Sequence, residues 1–378
     1  MKCVRSRIRR PIIHLPAEEG GSDLDFCLVN SETRDREPWP SCPRHILRVA
    51  LADLHRETGT RLVTACEHEF TYSHPDIAPA SSFTLESIRR FGSFADALAD
   101  ASEAADLGFD TIEPEFGVGQ IEVCTEPRIG LASVDNIVFA REVIREVARR
   151  QGGRASFLPK PHPDAVGNGA HLHFSFLDDD DKPAGFDPDA AHEMSELTRH
   201  FVAGVFQHLP ALVGFCAPSP VSYLRLGPHH WSCGYAAFGV QNRECALRIC
   251  PSPVLDKSKR GKAFNIEFRP MDGTCNPFIA VAAIVHAGLD GVRRKLDPPP
   301  LVDTDPADLT DDERTRLGVY PLPATLQEAI AAIEADTDLA ANLPAEFLDV
   351  FLSLKRFEAT LGDTLTPDDL CEKYAYAY

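Results

Sequence analysis

The sequence predicts an α+β fold built around an antiparallel sheet, and two observations lead to this fold class. Several segments alternate between polar and apolar residues with the period of two that half-buried strands show, as at 171–177. These segments come in pairs, and the helical patterns lie between the pairs rather than after every strand. The hydrophobic residues make up 44% of 378 positions, which is enough for a substantial core.

The individual elements follow from periodicity and end signals along the chain. Residues 1–40 are predicted to be irregular, because proline, glycine and charge surround one short apolar run. A first helix is expected to begin at Ser41 as its cap, with Pro43 in the first turn, and to end at Gly59. Further strands are predicted at 62–72, 120–124, 171–177, 244–250 and 264–269, and further helices at 95–107, 133–150, 196–208, 277–295, 326–335 and 344–361.

The charge balance excludes some classes of partner. The chain has 38 Lys and Arg residues against 57 Asp and Glu residues, which gives a formal net charge of −19. Such a chain is not suited to nucleic acid or to an anionic membrane as its main partner. An anionic substrate such as ATP would require local positive charge or bound metal ions.

The cysteines and the start of the chain indicate the compartment. The eleven cysteines are scattered and odd in number, with no C-x-x-C pair, which favours reduced thiols over disulfides. The basic start lacks the apolar core of a signal peptide, and no stretch approaches the roughly 20 apolar residues of a membrane span. We therefore expect a cytoplasmic protein.

Several predicted strands place carboxylates, imidazoles and guanidinium groups on one face, because side chains two positions apart share a face. The alternative is that these are solvent-exposed strand faces, but such faces usually carry Thr, Lys and Ser as well. Five glutamates and a histidine around one cavity would repel each other unless cations lay among them, and oxygen-rich ligands with one imidazole suit Mg²⁺ or Mn²⁺ better than zinc. The residues on these faces are Glu67, Glu69, Gln120, Glu122, His171, His173, Ser175, Arg248, Asn265, Glu267 and Arg269, with Glu115 just ahead of one strand.

Six segments, in order, resemble the motifs of the glutamine synthetase superfamily. The run FLPKPHPDAVGNGAHLHFSF at 157–176 is similar to the family's ATP-binding signature. The others are CEHEF at 66–70, EFGVGQIE at 115–122, YLRL at 223–226, QNRECALRICP at 241–251 and IEFRPMDGTCNPFIAVAAIVHAGLDG at 266–291. The resemblance covers about residues 20 to 362. It implies a catalytic domain at 41–378 with a curved antiparallel sheet and flanking helices, preceded at 1–40 by a remnant of the family's β-grasp domain.

The resemblance also implies a role for each matched residue. One divalent metal would bind near glutamate and a second would bridge the phosphates of ATP, with two or three Mg²⁺ or Mn²⁺ ions per site. The metal ligands would be Glu69, Glu115 and Glu122 for the first ion and Glu67, His171 and Glu267 for the second. Glutamate and the transferring phosphoryl group would meet Arg225, Arg269 and the backbone of Gly167. ATP would contact His173, Ser175, Arg243, Arg248 and Lys262. The catalytic groups would be Arg225, Arg243, Arg269 and Glu115.

Two features depart from the family pattern. The YxRL segment is normally followed by P-G-Y-E, whose Glu helps to deprotonate ammonium, but here the segment is YLRLGPHHW and that position is Trp231. Trp231 either packs under a loop or shapes a pocket for a larger amine, and His229 or His230 supplies a base unless the amine is already neutral. The acidic loop of the family's N-terminal domain is also absent, so that domain is truncated or the chain starts late.

These departures affect the ammonium site and leave the metal ligands in place. The sequence therefore predicts an ATP-dependent ligase that joins the γ-carboxylate of glutamate to a small organic amine through a γ-glutamyl phosphate, resembling γ-glutamylpolyamine and γ-glutamylmonoamine synthetases. The alternatives are glutamine synthetase proper, which uses ammonium, and a non-catalytic structural or regulatory homologue. The family also leads us to expect a ring-shaped homo-oligomer.

Overall fold

The computed structural model describes residues 4–5, 12–17, 22–78, 82–229 and 232–378. The strands are β1 Val4–Arg5, β2 Ile12–Leu15, β3 Leu24–Cys27, β4 Ser31–Glu32, β5 Arg61–Ser73, β6 Phe109–Pro114, β7 Gln120–Thr125, β8 Arg128–Ile129, β9 Arg154–Ser156, β10 Ala170–Leu177, β11 Tyr235–Ala236, β12 Phe238–Val240, β13 Leu247–Ile249, β14 Ile266–Phe268 and β15 Tyr320–Pro321. The α-helices are α1 Pro43–Thr58, α2 Leu85–Arg90, α3 Gly92–Ala104, α4 Leu131–Arg150, α5 Glu196–Gln207, α6 Leu209–Cys216, α7 Ser222–Arg225, α8 Pro277–Arg294, α9 Asp311–Leu317, α10 Leu326–Ala335, α11 Thr337–Ala340, α12 Ala345–Thr364 and α13 Pro367–Tyr374.

One sheet organises the molecule. Its strands run in the order β12-β13-β14-β10-β5-β7-β6, and β8 and β9 also pair with β5. All of these pairs are antiparallel except β12 with β13. The predicted α+β fold class with an antiparallel-dominated sheet is confirmed.

The register of this sheet aligns the polar positions of neighbouring strands. Across β5 and β10, His171 lies opposite Glu67, and across β5 and β7, Glu122 lies opposite Glu69. Glu267 on β14 lies opposite His173 on one side and opposite Arg248 on β13 on the other side. Because directly opposed side chains stand on the same face of a sheet, one face gathers carboxylates, imidazoles and guanidinium groups.

The other face of the sheet packs against helices. Along β5, the residues from Leu62 to Tyr72 alternate between half-buried and buried positions, with the even-numbered residues buried. Leu62 and Cys66 of β5 join one core with the buried apolar side chains of β10 and residues of α1, α4, α5 and α8. Phe174 and Phe176 of β10, for example, pack against the ring of Phe201 on α5. Packing against the helices holds the sheet in place from its apolar face. The opposite, polar face is therefore available for a functional site.

Helices α5 and α8 approach each other at the level of their backbones. A Cβ atom on Gly204 of α5 would stand 2.6 Å from the backbone nitrogen of Gly291 of α8, and a Cβ on Gly291 would stand 2.5 Å from the nitrogen of Gly204. A Cβ on Gly288 would overlap the ring of Phe201. These three positions therefore accept glycine alone at this helix spacing.

Several element boundaries differ from the sequence prediction. Cys42, not Ser41, is the N-cap of α1, and no side-chain cap is present there, although Gly59 ends the helix in the left-handed conformation as expected. Helix α3 begins at Gly92 and ends at Ala104, because Asp106 already adopts a φ of 52° before Gly108. The strands expected at 244–250 and 264–269 shorten to β13 and β14, three residues each.

The first 40 residues are not irregular throughout. β2 and β3 pair as an antiparallel hairpin in which Ile12 faces Cys27 and Leu15 faces Leu24. Ile13 and Leu15 are buried against the core that contains Phe70 and Phe94. The division of the chain into 1–40 and 41–378 stays a prediction. Among the residues that are described, no helix is long and apolar enough to cross a membrane.

Candidate active site

Glu67 is at the centre of a carboxylate and imidazole cluster on the polar face of the sheet. Its Oε2 lies 2.9 Å from His171 Nδ1, and its Oε1 lies 2.9 Å from His173 Nε2. His171 Nδ1 is also 3.5 Å from Glu267 Oε1 and 3.8 Å from Glu69 Oε1. The sheet register thus brings together four of the six predicted metal ligands, with His173 beside them.

Glu267 links this cluster to two arginines. Its side chain is fully buried, Arg248 Nη1 lies 3.0 Å from its Oε2, and Arg269 forms a second ion pair with the same carboxylate. Burial opposes the charge of Glu267, but the charges of Arg269 and His171 hold its pKa below the ordinary value. The local positive charge that an anionic substrate would need is therefore present beside the carboxylates.

A second group of carboxylates lies along β7 and its neighbours. Gly169 N donates a hydrogen bond to Glu69 Oε2 at 2.6 Å, and Gln120 Nε2 donates to the same oxygen at 3.4 Å. Glu122 is buried opposite Glu69. The Oε2 of Glu115 accepts a hydrogen bond from the backbone of the next residue at 2.9 Å. The register and the turn before β7 account for the placement of these three predicted ligands.

The protonation of these carboxylates shows how strongly they interact. Burial and the charges of Glu67 and Glu69 raise the pKa of Glu122 to about 9. Burial also raises the pKa of Glu115, with contributions from Glu69 and Glu113. Burial opposes the charge of Glu67, but hydrogen bonds from the two histidines hold its pKa well below the carboxyl range. A divalent cation would offset this repulsion, and the donor set of carboxylate oxygens with one imidazole fits Mg²⁺ or Mn²⁺.

Arg225 lies against the glycine-rich turn that precedes β10. Its buried guanidinium donates from Nη2 to the carbonyl oxygens of residues 270 and 271, at 2.8 and 3.0 Å. A Cβ on Gly167 would stand 2.5 Å from Arg225 Cγ, and a Cβ on Gly169 would stand 2.7 Å from His171 Nε2. Glycine at both positions therefore leaves the space in which Arg225 and His171 lie.

A cavity of about 580 Å³ opens beside the cluster. Its wall includes Glu67 of β5 and His173 and Ser175 of β10. Lys262, an exposed residue, lies on the same wall. Three of the five residues predicted for the nucleotide site thus line one cavity that leads to the carboxylates.

The other two residues predicted for that site occupy different positions. Arg248 is buried in its ion pair with Glu267. Arg243 is exposed in the turn between β12 and β13, from where its charge acts on Glu115. Arg248 thus acts on Glu267, whereas the charge of Arg243 acts on Glu115.

Two cysteines in the cluster were not among the predicted site residues, and Asn265, which alternation had placed on the polar face, had been given no role. Cys124 Sγ donates to Glu122 Oε1 at 3.3 Å, Cys250 Sγ lies 3.6 Å from His173 Nδ1, and the Oδ1 of Asn265 lies 2.9 Å from the same nitrogen. Cys124 follows Glu122 by two positions in a strand, so alternation alone could have found it. Cys250 lies just past the end of β13 but two positions after Arg248 in the strand predicted at 244–250, so the same alternation could have found it.

The predicted amine site is described only in part. His230 and Trp231, on which the prediction of a larger amine pocket rests, lie outside the described residues. His229 is described: its side chain is 62% exposed, and its Nδ1 lies 2.9 Å from Asp305 Oδ2. This contact holds His229 on the surface.

Comparisons with known proteins agree with this site. The family model "Glutamine synthetase, catalytic domain" matches residues 40–372. A relative named γ-glutamylpolyamine synthetase GlnA3, from Streptomyces coelicolor, is 34% identical over 359 residues, which cover 93% of this chain and 76% of the relative. The glutamine synthetase of Thermus thermophilus is 31% identical over 337 residues, 86% of this chain and 73% of that protein.

Solved structures show the same similarity. A crystal structure described as a novel glutamine synthase homolog is 40% identical, with a TM-score of 0.88, and the match covers 97% of this chain and 83% of that one. The ADP complex of a protein named GmaS is 26% identical, with a TM-score of 0.82 over 96% of this chain and 83% of that chain. The chain belongs to the glutamine synthetase family of ATP-dependent C–N ligases, whose members use divalent metal ions.

Proposed function

We propose that this ligase joins the γ-carboxylate of glutamate to an organic amine through a γ-glutamyl phosphate intermediate. The similarity to a γ-glutamylpolyamine synthetase supports an amine, while similarity to glutamine synthetases leaves ammonium as the second candidate. The observation that carries the organic amine is an exposed aromatic pair, Phe83 and Phe116, at the edge of the carboxylate site.

The aromatic pair lies next to Glu115, because Phe116 is the residue that follows it in the chain. The two ring centroids lie 6.2 Å apart, and Phe83 and Phe116 are 60% and 47% exposed. Ser82 Oγ donates to the carbonyl of Phe116 at 2.5 Å, and the amide of Phe116 donates to Glu115. Phe83 adopts a φ of 52°, which is unusual for a bulky residue. An apolar surface beside acidic groups suits a cationic amine with a hydrocarbon part, whereas ammonium has no apolar surface to bury.

The cluster supports a set of proposed ligand roles. Glu67, His171 and Glu267 are proposed to hold one Mg²⁺ or Mn²⁺ ion, and Glu69, Glu115 and Glu122 a second, with a third per site left open. When bound, such ions neutralise the oxygens of the phosphate groups. ATP is proposed to occupy the cavity beside Glu67. The residues proposed to contact it are His173, Ser175, Arg243, Arg248 and Lys262.

The reaction would proceed in two displacements. The γ-carboxylate oxygen of glutamate attacks the terminal phosphorus of ATP, the bond to ADP breaks, and an acyl phosphate forms. The amine nitrogen then attacks the acyl carbon, loses a proton, and phosphate leaves. Arg225 and Arg269 are proposed to hold glutamate and to offset the negative charge of both transition states, and Gly167 leaves room for the substrate.

An amine panel tests this proposal. Phosphate release is measured with glutamate, ATP and Mg²⁺ in the presence of ammonium, alkylamines, polyamines or arylamines. We expect an organic amine to give the highest kcat/KM. Phe83→Ala should raise the KM of that amine about tenfold and leave the KM of glutamate unchanged, because only apolar contact with the amine is lost. Tyr376→Ala, which removes an exposed aromatic side chain near the C-terminus, is the matched control.

Three outcomes would change the assignment. Ammonium as the best substrate would make the chain a glutamine synthetase. An unchanged amine KM in Phe83→Ala would remove the aromatic pair from the amine site. A non-catalytic homologue, the remaining alternative, would release no phosphate with any amine, and ATP with Mn²⁺ would not raise its melting temperature. The cytoplasmic location stays a prediction.

A further inference from the structure

Two thiol groups lie within the carboxylate cluster. Cys124 is two positions beyond Glu122 on β7, so both side chains stand on the same face, and the register places Cys124 opposite Glu67 of β5. Cys250 lies 3.6 Å from His173 Nδ1 and 3.9 Å from Glu267 Oε2. Magnesium sites are built from oxygen ligands, so a thiol here adds a donor of a different class.

The geometry around Cys124 is that of a potential ligand set. One donor atom from each of Glu67, Glu122 and Cys124 lies within 4.8 Å of the others. The Sγ of Cys124 is already 3.3 Å from Glu122 Oε1. A tetrahedral zinc ion with bonds of about 2.3 Å to sulfur and about 2.1 Å to oxygen holds such atoms about 3.6 Å apart. Small side-chain movements would therefore be enough for the three donor atoms to coordinate one ion.

The charges around this triad favour a cation. Glu122 is 7% exposed, and Glu67, Glu69 and Glu115 place further carboxyl groups around it. The cavity of about 580 Å³ includes both Glu67 and Cys124 in its wall, so an ion can reach the triad from solvent. A thiolate ligand would select among cations, because soft sulfur prefers zinc-class ions to magnesium.

We propose that Glu67, Glu122 and Cys124 form a binding site for a thiophilic divalent cation of the zinc class, with Cys124 as a thiolate ligand. On binding, the thiol proton of Cys124 leaves to solvent and a metal–sulfur bond forms. The triad shares Glu67 and Glu122 with the proposed Mg²⁺ sites, so the thiophilic ion excludes Mg²⁺ and inhibits the ligase. The inhibition rests on the proposed function, whereas the binding itself does not.

Cobalt(II) is the probe for this site, because a cobalt–thiolate bond gives a charge-transfer absorption in the near ultraviolet that oxygen and nitrogen ligands do not give. The full-length protein is freed of metal with a chelator and titrated with Co²⁺. We expect the band to appear in the wild type and to be lost in Cys124→Ser. Cys27→Ser is the matched control, since Cys27 is also half-buried but lies in β3, outside the cluster. The absorption band should persist in this variant. Cys250→Ser should also keep the band.

Zinc inhibition is then measured separately from binding. In the presence of Mg²⁺, the Zn²⁺ concentration that halves phosphate release should rise at least about tenfold in Cys124→Ser relative to the wild type. A cobalt–thiolate band that persists in Cys124→Ser, or one that is lost only in Cys250→Ser, would overturn the proposal. Absence of ligase activity in wild type with the band present would contradict the proposed function and leave the metal site standing.

Discussion

At the scale of single residues, the space around Arg225 depends on two glycines. Arg225 is buried and donates to two backbone carbonyls, so its guanidinium has a fixed position beside His171. Gly167 is in contact with the middle of the Arg225 side chain, and Gly169 is in contact with its end. Arg225, which is proposed to bind glutamate, can take this orientation only because Gly167 and Gly169 carry no Cβ atom.

The first prediction at this scale concerns Gly167→Ala. The added methyl group would stand 2.5 Å from Arg225 Cγ, and this displaces the guanidinium. We expect kcat/KM for glutamate to fall about 100-fold, because a misplacement of about 1 Å costs this much in a positioned site. Steady-state kinetics with varied glutamate measures the effect.

Gly92→Ala is the matched control for this substitution. Gly92 has no atom within 4 Å of the position that a Cβ would take, so the activity should stay unchanged. Equal activities in the two variants would show that the position of Arg225 does not matter for glutamate.

Alternation in a strand is a local property, so the sequence could predict which side chains of one strand share a face. Glu67 and Glu69, or His171 and His173, share a face in any strand, whatever lies beside it. The ion pair of Arg248 with Glu267 depends on the pairing of β13 with β14, and the contact of Cys250 with His173 joins residues 77 positions apart. Such contacts between strands distant in the chain leave no local pattern, so only the structure provides them.

At the scale of secondary-structure elements, His208 links the junction of two helices to two others. It lies between α5 and α6, with Nδ1 2.6 Å from Asp336 at the end of α10 and Nε2 3.1 Å from Asp290 of α8. Asp290 also pairs with Arg294 at 2.8 Å. Burial opposes the charge of His208, but the hydrogen bonds and charges of both aspartates raise its pKa above the ordinary value of 6.5.

This contact makes helix packing depend on pH. A raised folded-state pKa means that the charged His208 stabilises the fold fully below about pH 6.5 and loses this contribution as the pH rises through the higher folded value. His208→Gln should therefore lower the free energy of unfolding by about 2 kcal/mol at about pH 6 and by clearly less at about pH 9. Urea denaturation of wild type and variant at the two pH values measures this.

His14→Gln serves as the control for the pH dependence. His14 forms an ion pair with Asp25 in which both side chains are more than half exposed, so its loss should cost less than about 0.5 kcal/mol at either pH. An effect of His208→Gln that grows with pH would contradict the raised pKa.

Element boundaries were harder to predict than the elements themselves. α10 has the predicted bounds and α8 differs by one residue, because long apolar patterns define them. The segments expected as strands at 244–250 and 264–269 keep only their central residues. Gln241 adopts a φ of 57° and Asn242 accepts a hydrogen bond from Glu244 N, so a turn occupies the start of the first segment.

At the scale of the whole molecule, an apolar stripe on α12 suggests how copies associate. Val350, Leu354 and Phe357 are each more than half exposed, and their spacing of four and three residues puts them on one side of the helix. A net charge of −19 makes copies repel each other, so the association that we expect must come from apolar contact.

We therefore predict a homo-oligomer, expected from the family to be ring-shaped, with the α12 stripe as a contact. Light scattering should give a mass several times that of the 41.5 kDa chain, and the double substitution Leu354→Glu and Phe357→Glu should lower this mass. Val49→Glu, at a singly exposed apolar residue of α1, should leave the mass unchanged. A mass of 41.5 kDa for the wild type would refute the assembly, and an unchanged mass in the double variant would place the contact elsewhere.

The glycine contact between α5 and α8 restricts how this chain can diverge. Gly204, Gly288 and Gly291 leave no room for any side chain, so a single substitution there separates two helices that support the sheet from behind. Phe83 and Phe116 are exposed residues outside the helices and strands and can change without disturbing that layer. Under the proposed function, amine preference can therefore change by substitutions at this pair, while the helical layer keeps the carboxylate face of the sheet in register.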